Sequence, residues 1–180
     1  MKATGIVRKI DDLGRVVIPK EIRRSMRIRE GSPLEIFTNK NGGIILKKFS
    51  PIKELGTIVK ECADSLAQAS GHTTFVVDRD QIIAVSAGAV GREFLEKNIS
   101  SELETVISVH SNIIEDRSGP KFVRILEDDS DSEFNHEVIV TILSEGDALG
   151  AVILLSRDQK LGDAELKLAQ TKAGFLGKQV

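Results

Sequence analysis

The first fifty residues contain only short apolar stretches separated by turn signals, and this pattern constrains the fold more than any other feature of the sequence. It predicts four short strands and one helix of about two turns. The helix is expected to begin at Pro19, a residue that suits a first helical turn, and to end near Met26. The strands are expected at Gly5 to Ile10, Arg15 to Ile18, Pro33 to Phe37 and Ile44 to Lys48.

Elements of this size enclose too little hydrophobic core to be stable alone. Domains this small usually depend on a disulfide, a metal ion or a second chain. The head, defined as residues 1–50, contains no cysteine and no histidine, so the first two means are excluded. We therefore expect the head to form a dimer that buries its apolar side chains between two chains. Those side chains are Ile6, Val7, Val17, Ile18, Leu34, Ile36, Ile45 and Leu46.

Charge divides the chain at the end of the head. The head carries 12 Lys and Arg against 5 Asp and Glu, whereas the remaining 130 residues carry 13 against 22. A basic head on an acidic body indicates that the head alone binds a polyanion, most simply nucleic acid, although a solvated charged face is the alternative. Arginine suits both phosphates and base edges through its planar fork of donors. The candidate DNA-contacting residues are Arg8, Lys9, Arg15, Arg23 and Arg24.

From Ser50 onward the sequence predicts a larger α+β domain. Ser50-Pro51 is typical of a helix start, and a helix is expected from Lys53 to Ala69, ended by Gly71. Most of the predicted strands form adjacent hairpins, which favours an antiparallel sheet covered by helices. Strands are expected at 73–77, 81–86, 122–126, 137–143 and 148–156, helical segments at 92–111 and 163–176, and an exposed acidic loop at 127–135.

The segment from Gly5 to Arg24, GIVRKIDDLGRVVIPKEIRR, resembles the signature of AbrB-type transition-state regulators, and the hairpin through Lys48 continues the match. This resemblance implies an interleaved, swapped-hairpin dimer that binds double-stranded DNA. It also implies that DNA is contacted by the arginines at the family's matching positions. Those positions are Arg8, Arg15, Arg23 and Arg24, and Lys9 is a basic neighbour.

The element order of the second domain resembles that of a GAF domain, a sensory fold. The sequence contains no nucleotide-binding or chromophore-attachment motif, so the resemblance leaves open whether a small molecule binds there. The expected organisation is a DNA-binding and dimerisation domain over 5–51, a linking helix over 52–70 and a GAF-like regulatory domain over 56–180. With this domain and the total length included, the chain resembles members of the AbrB family that act in sporulation.

Other chemistry is not indicated. His72, His110 and His136 lie far apart, with no ligand at a zinc interval, and the acidic run from Asp128 to Glu133 lacks the glycine that a calcium loop needs. No serine or cysteine has a histidine base at a recognisable spacing. Cys62 lies on an apolar helical stripe and is expected to be buried. We therefore predict no enzyme, no metal and no cofactor.

The resulting hypothesis is a sequence-specific transcriptional regulator of sporulation genes, located in the cytoplasm on the nucleoid and independent of membranes. It is expected to act as a homodimer, extended to a tetramer through the apolar stripes at 55–69 and 166–176. Two alternatives stay open at this point. One is an antitoxin or protein-interaction module with DNA affinity, and the other is a small-molecule receptor whose head only dimerises. The operator and the sign of regulation are not encoded in any recognisable pattern.

Overall fold

The computed structural model describes residues 5–86 and 88–180, and the chain divides between Phe49 and Ser50 into two compact units. The N-terminal unit contains helix α1, Lys20–Ser25, and the antiparallel strands β1, Leu34–Thr38, and β2, Ile44–Lys48. Asn39 shapes the turn between these strands, because its Oδ1 accepts hydrogen bonds from the backbone N–H groups of Asn41 and Gly43. The predicted hairpin is therefore confirmed.

The two strands expected before α1 are not formed in the single chain. Residues 5–10 and 15–18 do not pair in a sheet within the described part of the molecule. The turn between them is present, since Asp11 N donates to Arg15 O at 3.0 Å and Gly14 N donates to Asp11 O at 3.0 Å. The strand prediction is wrong for an isolated chain, because a strand needs a neighbouring strand for its backbone hydrogen bonds and the described chain forms none beside these segments. Pro19 precedes α1 as its cap and is not the first helical residue.

The C-terminal unit is a five-stranded antiparallel sheet in the order β4-β3-β7-β6-β5. Its strands are β3, Thr73–Val77; β4, Ile82–Ser86; β5, Ile113–Asp116; β6, His136–Ser144; and β7, Asp147–Ser156. Its helices are α2, Pro51–Glu54; α3, Thr57–Ser70; α4, Ser101–Ser108; and α5, Asp163–Gly177, with a 3₁₀ helix at Gly88–Phe94. The predicted α+β class is confirmed.

Side chains alternate between the two faces of this sheet, and each face is covered by its own apolar core. Helices α3 and α5 cover one face, where Leu66 and Ala169 pack with the strand residues Val76, Val140 and Leu154. Helix α4 and the loops that flank it cover the other face. The second core includes Phe75, Phe94, Ile99, Leu103, Phe134, Ile139 and Ile153.

The helix predicted from Lys53 to Ala69 is divided in two. Its start is as expected, since Ser50 Oγ accepts a hydrogen bond from Lys53 N at 3.3 Å and Pro51 occupies the first turn. Gly56 then takes φ 52°, a left-handed conformation that interrupts the helical hydrogen bonds between α2 and α3. Gly71 ends α3 with φ 75°, which confirms the predicted stop signal.

Between β4 and β6, the segment 92–111 was expected to be one helix or two helices broken near Ser100; the second part is confirmed as α4, which Ser100 caps, whereas the first part and the strand expected at 122–126 are wrong. Residues 92–100 are not α-helical: Glu96 N donates to Ile82 O at 2.9 Å, and Ile82 N donates to Lys97 O at 3.0 Å, so this stretch pairs along β4 after the 3₁₀ helix. Residues 122–126 are not a strand, because buried carboxylates accept their backbone N–H groups. Strand β5 was not predicted, and it forms one edge of the sheet.

Candidate nucleic-acid interface

All five candidate DNA-contacting cations lie on the surface of the N-terminal unit. Arg8 and Lys9 precede the first turn, Arg15 follows it, and Arg23 and Arg24 occupy the last turn of α1. Within the described residues no carboxylate forms an ion pair with Arg8, Lys9, Arg23 or Arg24. Arg15 is different, because it is paired with Asp11. Four solvated cations are therefore available to a polyanion without breaking an existing ion pair.

The turn that presents Arg15 is organised by Asp11. Asp11 Oδ1 accepts hydrogen bonds from Leu13 N at 3.0 Å and from Arg15 N at 2.8 Å, while Oδ2 accepts from Arg15 Nε at 2.8 Å. Hydrogen bonds from the backbone and side chain of Arg15 hold the pKa of Asp11 below its ordinary value. The carboxylate is therefore charged at neutral pH. Sequence reasoning did not single out Asp11, although an aspartate opening an Asp-x-x-Gly turn is a usable signal.

Helix α1 places its two arginines in solvent. Pro19 is buried at the start of the helix, and Ile22 is half-buried, whereas Arg23 and Arg24 are exposed. After the helix, Ile28 N donates to Arg23 O at 2.7 Å, so the chain folds back against the last turn. The helix is thus anchored by apolar residues on one side and is basic on the other.

The N-terminal unit also exposes much of its apolar surface. Val7 is 87% exposed, Val17 is 70% exposed and Ile36 is 67% exposed, although all three are β-branched residues of the kind that sheets bury. Ile6 and Leu46 are also exposed, while Ile18, Leu34 and Ile45 are half-buried. Single exposed apolar residues are ordinary, but several in one small unit mark an interaction surface.

The C-terminal unit contains two buried acidic groups. Asp131 is buried, so the prediction of an exposed acidic loop at 127–135 is wrong at that residue, and Glu137 in β6 is buried as well. Glu137 Oε1 accepts from Val123 N at 2.7 Å, and Asp131 Oδ2 accepts from Ile125 N at 2.8 Å. These hydrogen bonds fasten residues 122–126 over the sheet, which explains why both carboxylates are tolerated inside.

A groove of about 390 Å³ lies at the edge of the C-terminal unit, where Phe94, Phe134 and Arg157 contribute to its walls. Arg157 Nη2 lies 2.6 Å from Glu133 Oε1.

Cys62 is buried, as predicted, and burial raises the pKa of its thiol. In the described residues no three His, Cys, Asp or Glu side chains are grouped to hold a metal ion. None of the described helices is both long and apolar enough to cross a membrane.

The fold and the surface define a two-domain protein, with a small basic N-terminal unit and a separate antiparallel α+β domain, and comparison with known proteins assigns it to a class of transcription factor. Residues 54–180 match the family described as "Stage V sporulation protein T C-terminal, transcription factor", and residues 7–54 match "Antidote-toxin recognition MazE, bacterial antitoxin". The chain belongs to the stage V sporulation protein T family. It is an AbrB-type transcription factor that regulates sporulation.

The relatives agree with this assignment. Stage V sporulation protein T of Bacillus subtilis (strain 168) is 50% identical over 180 residues, which are 100% of this chain and 99% of that protein. The transition state regulatory protein AbrB of the same organism is 48% identical over 71 residues, which are 39% of this chain and 73% of that protein. The cofactor binding GAF domain of the nutrient sensor CodY from Clostridium difficile superposes with a TM-score of 0.52 at 18% identity, over 67% of this chain and 82% of that chain. The GAF-like fold of the second domain is thereby confirmed.

Proposed function

We propose that the protein binds double-stranded DNA as a homodimer through Arg8, Lys9, Arg15, Arg23 and Arg24. The observation that carries the proposal is the exposure of all five side chains on a unit of strong positive charge. Arginine and lysine at a surface release counterions from DNA phosphates, which supplies affinity, and arginine also reads guanine edges in the major groove. A two-fold dimer repeats these cations and matches a DNA site with two-fold symmetry.

Alanine substitution tests the contacts one at a time. Replacing Arg23 or Arg24 by Ala is expected to weaken binding by about 1–3 kcal/mol if the side chain reads a base. If the side chain neutralises only a phosphate, the slope of log affinity against log salt falls by about one unit per lost contact. Fluorescence anisotropy titrations with duplex DNA at several salt concentrations measure both quantities.

The control for these variants is Arg79→Ala, which removes an exposed arginine from the C-terminal unit. It is expected to leave both the affinity and the salt slope unchanged. Wild-type affinity in the alanine variants of Arg8, Arg15, Arg23 and Arg24 would contradict the proposed interface.

Dimerisation is supported by the exposed apolar residues of the N-terminal unit, and by the observation that residues 5–10 and 15–18 belong to neither sheet of the described single chain. We place these segments against those of a second chain, which completes the sheet.

A tetramer extends this assembly through the second domain. The apolar stripes at 55–69 and 166–176 are mostly buried in the core of this domain, so the support that is left for a tetramer is Phe175 of α5, which is 46% exposed.

For the second domain, over residues 56–180, we propose a regulatory role without DNA contact, and we place the linking segment at 52–70. The domain carries the chain's excess of acidic residues, which repel phosphate over about a Debye length of 8 Å. A small molecule bound in its GAF-like fold could change DNA affinity only by preferring one arrangement of the heads. We also propose that the protein acts on the nucleoid. A protein that lacks residues 56–180 is expected to bind DNA but no longer to regulate its target genes. Unchanged regulation would contradict this role.

A second candidate function is toxin binding by the head, favoured by the match of residues 7–54 to an antitoxin family. The test is co-purification of the full chain with any small toxin encoded beside its gene. A stoichiometric complex that competes with DNA would support this function. The third alternative, a receptor whose head only dimerises, is contradicted if the arginine variants lose DNA affinity while remaining dimeric.

A further inference from the structure

We propose that Asp11 is a positioning residue that holds the guanidinium of Arg15 in the orientation required for DNA contact. This inference rests on the proposed function, because it assumes that Arg15 binds DNA. Asp11 itself is acceptor-only and cannot bind a phosphate, so its contribution is exerted through Arg15.

The two oxygens of Asp11 have separate tasks. Oδ1 accepts the backbone N–H groups of Leu13 and Arg15 and so shapes the turn, whereas Oδ2 accepts Arg15 Nε at 2.8 Å. The same side chain therefore fixes both the backbone that carries Arg15 and the direction of its guanidinium. A carboxylate is needed for this arrangement, since only it offers two equivalent acceptor oxygens.

Engagement through Nε leaves the far edge of the guanidinium available. Arginine has five N–H donors, and Asp11 uses one of them. The two terminal amino groups make no hydrogen bond to the other described residues and can bind a base edge or a phosphate in a bidentate manner. The Arg15 side chain is 69% exposed despite the ion pair. A long exposed side chain normally loses rotamer freedom on binding, and prior orientation reduces that loss.

A contribution to folding stability does not explain the ion pair between Asp11 and Arg15. Ion pairs between exposed side chains contribute little to folding, because water screens the charges and the side chains lose entropy. A carboxylate beside a DNA surface also repels phosphate, so Asp11 opposes binding by its charge alone. Its direct neighbour, Asp12, is also exposed and forms no ion pair within the described residues. Asp12 therefore provides a matched control for the charge effect.

The experiment compares Asp11→Asn, Asp12→Asn, Arg15→Ala and the double variant Asp11→Asn/Arg15→Ala in the full-length chain. The probe is a duplex selected by the wild-type protein from a random-sequence library, and an unselected duplex of equal length is the reference for non-specific binding. Asparagine keeps an acceptor oxygen for Leu13 N and Arg15 N, so the turn is preserved. Thermal unfolding checks that the variants fold as the wild type does.

If Asp11 positions Arg15, Asp12→Asn strengthens binding to both duplexes, whereas Asp11→Asn weakens binding to the selected duplex about 3–10-fold. The weakening disappears in the Arg15→Ala background, because there is no guanidinium left to orient, and Asp11→Asn then strengthens binding as Asp12→Asn does. Asp11→Asn binding as tightly as Asp12→Asn overturns the inference, as does a loss that persists without Arg15. Wild-type affinity in Arg15→Ala overturns the proposed contact of Arg15, and the positioning role with it, so failure of the interface is distinguished from failure of positioning alone.

Discussion

Glu137 is a carboxylic acid in the apolar face of the sheet that α4 covers. Its side chain is fully buried, Oε1 accepts from Val123 N, and Oε2 has no hydrogen-bond partner within the described residues. Burial raises the pKa of Glu137 to about 8, and the nearby carboxylates Asp131 and Glu115 act in the same direction, whereas Val123 N and Arg117 oppose it. Glu137 is therefore largely protonated at neutral pH.

Stability is expected to fall as the pH rises through this range. The folded state retains a proton on Glu137 between its ordinary pKa of 4.5 and about 8, whereas the unfolded state has released it. The free energy of unfolding then decreases by up to about 1.4 kcal/mol per pH unit across that window and levels off above it. Glu137→Gln retains an acceptor for Val123 N and cannot ionise, so it should be more stable than the wild type at pH values above about 8.

Urea denaturation between acidic and mildly alkaline pH measures this difference. Glu61→Gln serves as the control, because it removes an exposed carboxylate from α3 and leaves residues 122–126 and Glu137 unchanged. Parallel pH profiles for the wild type and Glu137→Gln would show that Glu137 does not control this part of the stability curve.

At the scale of single elements, helix α5 approaches the sheet at its C-terminal end. Gly177 lies so close to the carbonyl oxygen of Leu143 that a Cβ atom would overlap it. Gly177→Ala is therefore expected to destabilise the second domain by about 1–3 kcal/mol, because strand β6 or the end of α5 must move. Thermal unfolding of the full chain measures the loss.

Substitution of Gly174, in the same helix, is expected to have the opposite effect on stability. An added Cβ there meets no atom within 4 Å, so Gly174→Ala should stabilise the helix by about 0.5–1 kcal/mol through propensity alone. A similar destabilisation by both substitutions would mean that contact with Leu143 is not the cause.

Elements whose partners are adjacent in sequence were predictable. Strands β3, β6 and β7 and helix α5 lie within two residues of their expected bounds, because hairpin periodicity and caps are local signals. Segment 122–126 was not predictable as a loop. Its apolar pattern is that of a strand, and its backbone N–H groups bind Glu137 and Asp131, one of them from a distant strand.

In the candidate interface, too, features set by local sequence could be predicted, whereas features set by particular side-chain contacts could not. The exposure of Arg23 and Arg24 on α1 could be predicted from a short helix with one apolar side. The pairing of Arg15 with Asp11 could not, since spacing alone does not specify which neighbouring carboxylate, Asp11 or Asp12, accepts Nε. The burial of Glu137 could not be predicted either, because it depends on residues 122–126, which fold over it as a loop.

For the whole molecule, we expect the head to be stable only in association with a second copy. Residues 1–52 produced alone should unfold with a midpoint that rises with protein concentration, since association stabilises the folded state by mass action. Circular dichroism melts across a wide concentration range, with sedimentation at the same concentrations, measure this coupling.

A folded monomer of residues 1–52 at micromolar concentration would contradict this expectation. Val17→Asp supplies the internal comparison, because it places a charge at a residue that is 70% exposed in one chain and buried in the proposed dimer. The charge should abolish association if Val17 lies between chains and should have little effect if it stays in solvent.

If the head dimerises through the exposed apolar residues of the N-terminal unit, as we propose, its DNA binding depends on the concentration of the protein itself. Below the dissociation constant of the head, the concentration of dimers grows with the square of the concentration of chains, so a modest rise in synthesis produces a larger rise in DNA occupancy. Dilution by cell growth has the reverse effect. A spore-forming cell could therefore switch target genes sharply by changing only the rate at which this chain is made, with no ligand and no covalent modification.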